Sequence, residues 1–449
     1  MGCHITRPPA ISYSGGDFPM SRFSLQVATI LTLLSTSIFG LTANAQVYGP
    51  TSEERKFTLD AHFISQSNDQ ASWEEEADSQ FSHIFGVMHS PKLIRQFGLD
   101  ADYVGGIGAP QLPIEFSRFQ SVRQADGTYL VSYRAKGKIL LHTEVAKALD
   151  QQGEIDLPLP VDLENFYDKK CTDSHYDSFE DFWYFYDPYR RGCEKFAKAP
   201  LADTFKFQLG EAVKRKLDMN LRLDLLRGAN GNGKVFRIDV VHGFESSNSN
   251  PRDDGRINFN EFNTWMGRQG YQLTKVQTQR SRPLNLWTKT LELPGGKEVE
   301  VEVRSFLVET SISARSKLFA EYFKEAVENA DVIFYAGHSG LGGNLDIPSL
   351  EEKAGGFKFQ TNKRQIFFFE SCSSYSYYLA PFRAEKTRAR IDVVTNGLSS
   401  YFDTGAAMLH GFLEEILDDQ ATDKTWDQVL SRIEADLGGR SYLTNVGGI

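Results

Sequence analysis

Basic residues are in short supply: 49 Lys and Arg stand against 59 Asp and Glu, a net charge of −10. A nucleic-acid binder would carry a basic stripe, so no nucleic-acid partner is expected. Proline (16) and glycine (37) are too few for a collagen-like or linker-like chain. His83, His89 and His142 lack metal-ligand spacing, so no metal site and no cofactor is expected from them. Long apolar runs are missing after Ala45, so no later stretch reads as a membrane-spanning helix. What is plentiful is core material. The hydrophobic fraction is 41% and Phe alone numbers 33, which excludes wholesale disorder. At roughly 100–200 residues per domain, a chain of 449 residues suggests two domains or three.

The one long apolar run, Val27 to Leu41, follows Arg22 and ends in Ala43-Asn44-Ala45. A basic start, a short apolar centre and a small-x-small site describe a secretory signal peptide; the alternative is an uncleaved anchor. The expectation is therefore a signal region over 1–45, with the true start at Met20 and a mature chain from Gln46. Gln46, not Cys, stands directly after the cleavage site, which argues against a lipid anchor. The mature protein is expected to be exported, to the periplasm, the cell surface or the medium, with no stable membrane insertion after signal cleavage.

Export governs the cysteines. Cys3 leaves with the signal region, and Cys171, Cys193 and Cys372 remain. In an oxidising compartment Cys171 and Cys193 are natural partners, flanking the aromatic, acidic segment Tyr176–Arg191. Cys372 is then the odd one, either buried and inert or a reactive thiol.

Residues 46–230 read as a β-rich α+β accessory domain. Trp73–Phe97 has helical spacing, Asp126-Gly127 is a hairpin turn between Phe116–Arg123 and Tyr129–Tyr133, and the alternation of Leu217–Leu225 predicts a half-buried strand. The aromatic run Phe179–Tyr189 is either a binding face or core under a disulfide-tied loop. Gly228–Gly233 is a flexible break. Beyond it, 231–449 follows a different pattern. Apolar runs at Val235–Val241, Val332–Ala336, Ile366–Phe369 and Ile391–Thr395, with a strand or hairpin arm at Val299–Val308, alternate with helical patterns at Ile257–Gly267, Ser316–Ala330 and Gly405–Leu417. Such alternation predicts an α/β fold with a mostly parallel sheet covered on both faces. Sites in such sheets form beyond the carboxyl ends of the strands.

Two strand ends carry chemistry. One reads Val332-Ile-Phe-Tyr-Ala-Gly-His338-Ser339-Gly340 and the other Ile366-Phe-Phe-Phe-Glu370-Ser-Cys372-Ser-Ser. Adjacent parallel strands would bring His338 and Cys372 to one edge. A Cys nucleophile attacks as the thiolate and needs a base or electrostatic partner. The glycines around His338 allow close approach to a substrate carbonyl, and the Cys372 amide is a second oxyanion donor.

At these residues the chain resembles the legumain and caspase-like cysteine peptidases, the legumain branch most closely. That group carries one apolar strand ending in His-Gly and the next ending in Ala-Cys. The likeness extends to Val393-Val-Thr-Asn-Gly-Leu-Ser399-Ser400-Tyr401 and to the segment from Val235 through Arg268-Gln-Gly-Tyr271, and covers about Lys234 to Leu417. Three positions depart from it: Ser339 follows the His, Ser371 precedes the Cys, and Gly337 replaces the legumain Asp. The resemblance implies a caspase-like fold and an exported thiol protease, an endopeptidase or transpeptidase acting on a protein or peptide substrate. It makes Cys372 the nucleophile and His338 the proton-handling partner. The amides of Cys372 and of Ser339 or Gly340 would form the oxyanion hole. The substrate pocket would be drawn from Asn248 to Arg252, Glu370, Ser399 and Ser400. Arg252 would suit a carboxylate or amide, whereas Asp253, Asp254, Glu370 and Asp392 would suit a basic side chain.

Rival readings use nearby residues. Gly337-His-Ser339-Gly-Leu echoes a serine-hydrolase elbow, with Asp392 or Asp403 and His410 as partners, but Leu341 breaks the Gly-x-Ser-x-Gly pattern. Asn250 to Glu261 echoes a calcium loop, although Arg252 occupies a ligand position; a structural calcium ion is the only cofactor it suggests. His242-Gly243 reads as core or pocket wall. A third reading is an exported binding or adhesion protein on a degenerate peptidase fold.

Overall fold

The computed structural model of the protein describes residues 46–173, 181–227, 235–244, 250–279, 282–310 and 316–447. The expected signal region, the Gly228–Gly233 break, Asn248 and part of the aromatic segment lie outside the described residues. The described chain begins with a short strand, β1 (Val47–Tyr48). Six more strands follow: β2 (Ser52–Ser65), β3 (Gly108–Pro110), β4 (Glu115–Arg123), β5 (Tyr129–His142), β6 (Glu154–Pro160) and β7 (Ala202–Ala212). They form a curled antiparallel sheet in the order β3-β5-β2-β7-β6, with β4 also paired to β5. Strands β2 and β5 carry this sheet, paired from Ser52 opposite His142 to Ser65 opposite Tyr129. The expected hairpin is present, with Gly127 at φ +95° in its turn. The helical spacing of Trp73–Phe97 becomes three consecutive helices, Gln70–Ser82, Ile84–Met88 and Pro91–Gln96.

The second sheet has nine strands. Its later members are β8 (Val235–Phe244), β9 (Gln272–Gln279), β10 (Arg282–Leu293), β11 (Lys297–Glu309), β12 (Val332–Ala336), β13 (Gln365–Glu370), β14 (Ile391–Asn396) and β15 (Thr444–Gly447). The order is β1-β15-β14-β13-β12-β8-β11-β10-β9. Its centre, β14-β13-β12-β8-β11, is parallel throughout. Antiparallel strands complete it on both sides.

The continuous apolar runs of the central strands have a direct cause. Ile333, Tyr335, Phe367 and Phe369 enter a core with the helices Lys317–Asn329 and Leu379–Ala384. Val332, Phe334, Ile366 and Phe368, on the opposite face, pack with the helices Asp254–Arg268, Phe402–Leu417 and Trp426–Ala435. A strand covered on both faces has no position where a polar residue is favoured. The first of these cores continues into the curled sheet through Phe57, Phe63 and Tyr133. Helix ends follow local chemistry: Ser316 Oγ accepts from the Phe319 amide, and Thr425 with Gln428 forms a capping box.

The strand expected over Leu217–Leu225 is corrected. Met219, Leu221 and Leu223 are buried and Asn220 and Arg222 exposed, so the alternation is real. Only one isolated bridge forms, Asn220 to Thr425, and Leu223–Leu226 turns into a short helix. Among the described residues no strand lies alongside to extend a ladder; the pairing partner is the loop before Trp426. Arg227 closes this segment, donating to the carbonyl of Ile416 in the last turn of the helix Phe402–Leu417 and to those of Asp418 and Ala421 just beyond it.

Candidate active site

β12 and β13 are neighbours in parallel register, with Ala336 opposite Glu370. His338 and Cys372 each lie two residues further on. Both line one narrow cleft with Gly337, Glu370, Ser400 and Phe402. Its free volume of about 10 Å³ is that of roughly one water molecule.

The His338 turn is shaped by small residues. A Cβ on Gly337 would stand 2.6 Å from Thr310 Cγ2, and one on Gly243 would stand 2.5 Å from Thr310 Oγ1. Both glycines make room for Thr310, whose Oγ1 accepts the His338 amide at 3.2 Å. The His338 carbonyl accepts from Tyr335 Oη at 2.6 Å and Asn344 Nδ2 at 2.8 Å. The imidazole stands edge-on to Phe402, with ring centroids 5.3 Å apart. Burial pushes its pKa below the ordinary value, and the Asp253 carboxylate opposes that shift. A neutral imidazole near neutral pH is the form a general base requires.

Cys372 is the cysteine outside the disulfide among the described residues and is 8% exposed. Its thiol donates to the Ser400 carbonyl at 3.8 Å. Such a contact favours the neutral thiol and must break when the thiolate forms. Beside it, Glu370 is buried with Oε1 unpartnered. Burial pushes its carboxyl well above the ordinary range, the neighbouring Cys372 charge adds to this, and a Ser400 hydrogen bond opposes it. Burial thus favours the neutral carboxyl of Glu370 over the carboxylate that would attract a basic side chain.

The other expected residues divide. Ser339 is buried beside the cleft, its carbonyl accepting from Tyr378 Oη at 2.5 Å, and Gly340 turns at φ +55°. Ser400 lines the cleft, while Ser399 packs against Gly105. Arg252 is exposed, its amide donating to Asn250 Oδ1 at 3.0 Å. Asp253 caps the helix Asp254–Arg268, accepting from the Arg256 amide at 3.2 Å. Residues 254–261 are helical, so the Asn250–Glu261 segment does not wrap as a calcium loop. Among the described residues no three His, Cys, Asp or Glu side chains group as metal ligands. Asp392 is not at the cleft. It is buried at the start of β14 with Arg364 and with Trp426 Nε1, the latter at 2.8 Å.

The partners of the serine-hydrolase alternative are engaged elsewhere: His410 stacks on Trp265 at 4.6 Å and Asp403 pairs with Arg440 at 2.6 Å. His242 is core, its ring against Phe259 and Phe262.

Cys171 and Cys193 form a disulfide. This agrees with an oxidising compartment, and among the described residues no helix is long and apolar enough to cross a membrane. The loop it closes is core in Phe182, Tyr184 and Tyr186, whereas Trp183 and Phe185 are half-buried and pack in a small cluster with Leu341 beside the His338 turn. Sequence reasoning missed Thr310 and Phe402. Thr310 directly follows the strand β11, and Phe402 directly follows the Ser399-Ser400-Tyr401 segment, so both lie next to stretches the sequence already singles out.

No protein-family model fits the chain, and no curated protein is significantly similar to it.

Proposed function

We propose that the protein is an exported cysteine peptidase, an endopeptidase or transpeptidase of the legumain and caspase-like kind, working through His338 and Cys372. One observation carries the reading: an imidazole and a thiol outside the disulfide leave adjacent parallel strands at matching register and line the same cleft. In this mechanism the Cys372 proton passes to His338 and the thiolate attacks the scissile carbonyl carbon. The resulting oxyanion is held by the amides of Cys372 and of Ser339 or Gly340. Collapse breaks the C–N bond, and His338 returns the proton to the leaving amine. A thioester remains on Cys372. Water or a second amine, deprotonated by His338, releases it as an acid or a new amide.

Labelling of the mature protein with iodoacetamide against pH, with Cys372→Ala and His338→Ala alongside, tests this. The reading expects fast adduct formation at Cys372 near neutral pH, slowed in the His338 variant, and turnover in a peptide-library screen. A thiol that labels only with the pH profile of an ordinary cysteine would refute it. A second reading, a binding protein on a degenerate peptidase fold, draws support from the cleft's small volume and the thiol's contact with the Ser400 carbonyl.

A further inference from the structure

Three of the four residues after Cys372 reach into the N-terminal sheet and its disulfide-closed loop. The Ser373 hydroxyl shares a 2.8 Å hydrogen bond with the Tyr184 hydroxyl. Tyr375 Oη donates to Glu54 Oε1 at 2.6 Å. Ser376 Oγ donates to the Pro110 carbonyl at 2.6 Å. The partners belong to three separate elements: the segment closed by Cys171–Cys193, β2 and β3. Ser374 faces the other way, donating to the Phe369 carbonyl and accepting the Asn396 amide, each at 2.8 Å. The turn that carries the thiol is thus fastened to the parallel sheet by one hydroxyl and to the N-terminal elements by three.

Two features make that fastening consequential. Ser373 holds φ +49°, a left-handed conformation that a non-glycine residue keeps only where its surroundings enforce it. Glu54 is fully buried, and a buried carboxylate persists only when several donors satisfy it. Besides Tyr375 it receives Tyr48 Oη at 3.1 Å and Lys138 Nζ at 3.2 Å.

We infer that the N-terminal sheet is a positioning scaffold for the nucleophile: Tyr184, Glu54 and the Pro110 carbonyl hold the 373–376 turn so that Cys372 Sγ stands in the His338 cleft. This rests on the cysteine-peptidase reading. It predicts that the N-terminal region supports activity instead of restraining it. Tyr184, Tyr375 and Ser376 are then positioning residues that touch no substrate.

The test uses the full mature chain with Tyr184→Phe, Tyr375→Phe and Ser376→Ala, singly and combined. Three readouts are taken well below each variant's Tm: the pH profile of Cys372 labelling, kcat, and KM on a peptide the wild type cleaves. The combined variant should lose roughly 10- to 100-fold in kcat, the scale expected for misplacing a catalytic group by about an ångström. KM should stay within about twofold. The labelling midpoint should move up toward the ordinary thiol value of about 8.5. A merely structural contact would lower Tm and leave the labelling profile in place; that result overturns the inference, as does a rise in activity. Should the combined variant fail to fold, Tyr184→Phe decides, because it removes one hydroxyl and keeps the ring. A wild type with neither turnover nor a reactive thiol fails the peptidase reading itself and overturns the inference with it. A reactive wild type with unaffected variants overturns the inference alone.

Discussion

His242 makes stability respond to acid, and the size of the response follows from its surroundings. It stands near the end of β8, level with Ala336 of β12. Its ring is edge-on to Phe259 at 5.5 Å and tilted against Phe262 at 5.1 Å, and its Nε2 has no hydrogen-bond partner. Burial pushes the imidazole down to about 3, and the nearby His410 adds to the shift. The unfolded chain titrates near 6.5. A depressed folded value means that the contribution to stability is present in full above pH 6.5. It is lost as the pH falls through the folded value of about 3. From pH 7 to pH 5 the unfolded state takes up a proton that the folded state refuses. At about 1.4 kcal/mol per unit this works out to about 2 kcal/mol. His242→Phe keeps an aromatic ring between Phe259 and Phe262 and removes the titration, while His410 remains in both proteins. Urea unfolding at pH 7 and pH 5 measures the difference of differences. The wild type should lose about 2 kcal/mol more than the variant between the two pH values. Equal losses would mean that His242 is hydrated or charged in the folded protein, and the burial argument would be wrong.

Glu370→Gln should act in the opposite pH direction. A carboxyl whose folded pKa is raised gives stability present in full below the unfolded value, and that stability is lost as the pH rises through the folded value. The Gln variant should therefore gain on the wild type as the pH is taken from 4.5 to 8 in urea unfolding, and a constant gap would contradict the assigned protonation. Gly255→Ala would set a Cβ 1.7 Å from the Gly243 carbonyl oxygen, where backbone meets backbone at the start of the helix Asp254–Arg268. Thermal unfolding should register a loss of about 3 kcal/mol, the upper range for overpacking; a loss below about 0.5 kcal/mol would show that the helix can step back freely.

The sequence by itself determined the parallel strands of the second sheet and the sheet edge at which His338 and Cys372 stand. Its apolar runs have no polar positions because both faces of β12 and β13 are covered, and that signal is local and strong. The same logic placed His338 and Cys372 beyond neighbouring strands, and the pairing of Cys171 with Cys193 leaves Cys372 outside the disulfide. Where alternation alone was available, at Leu217–Leu225, burial was legible and pairing was not, because period-two burial does not reveal whether a strand lies alongside. The pairing of β1 with β15 and Thr310 behind His338 depend on contacts between residues far apart in the chain. So do the hydroxyls that tie the Cys372 turn to Tyr184, Glu54 and Pro110. Tyrosine, serine and buried glutamate carry no local pattern that names a distant partner; only the fold brings donor and acceptor within hydrogen-bond reach.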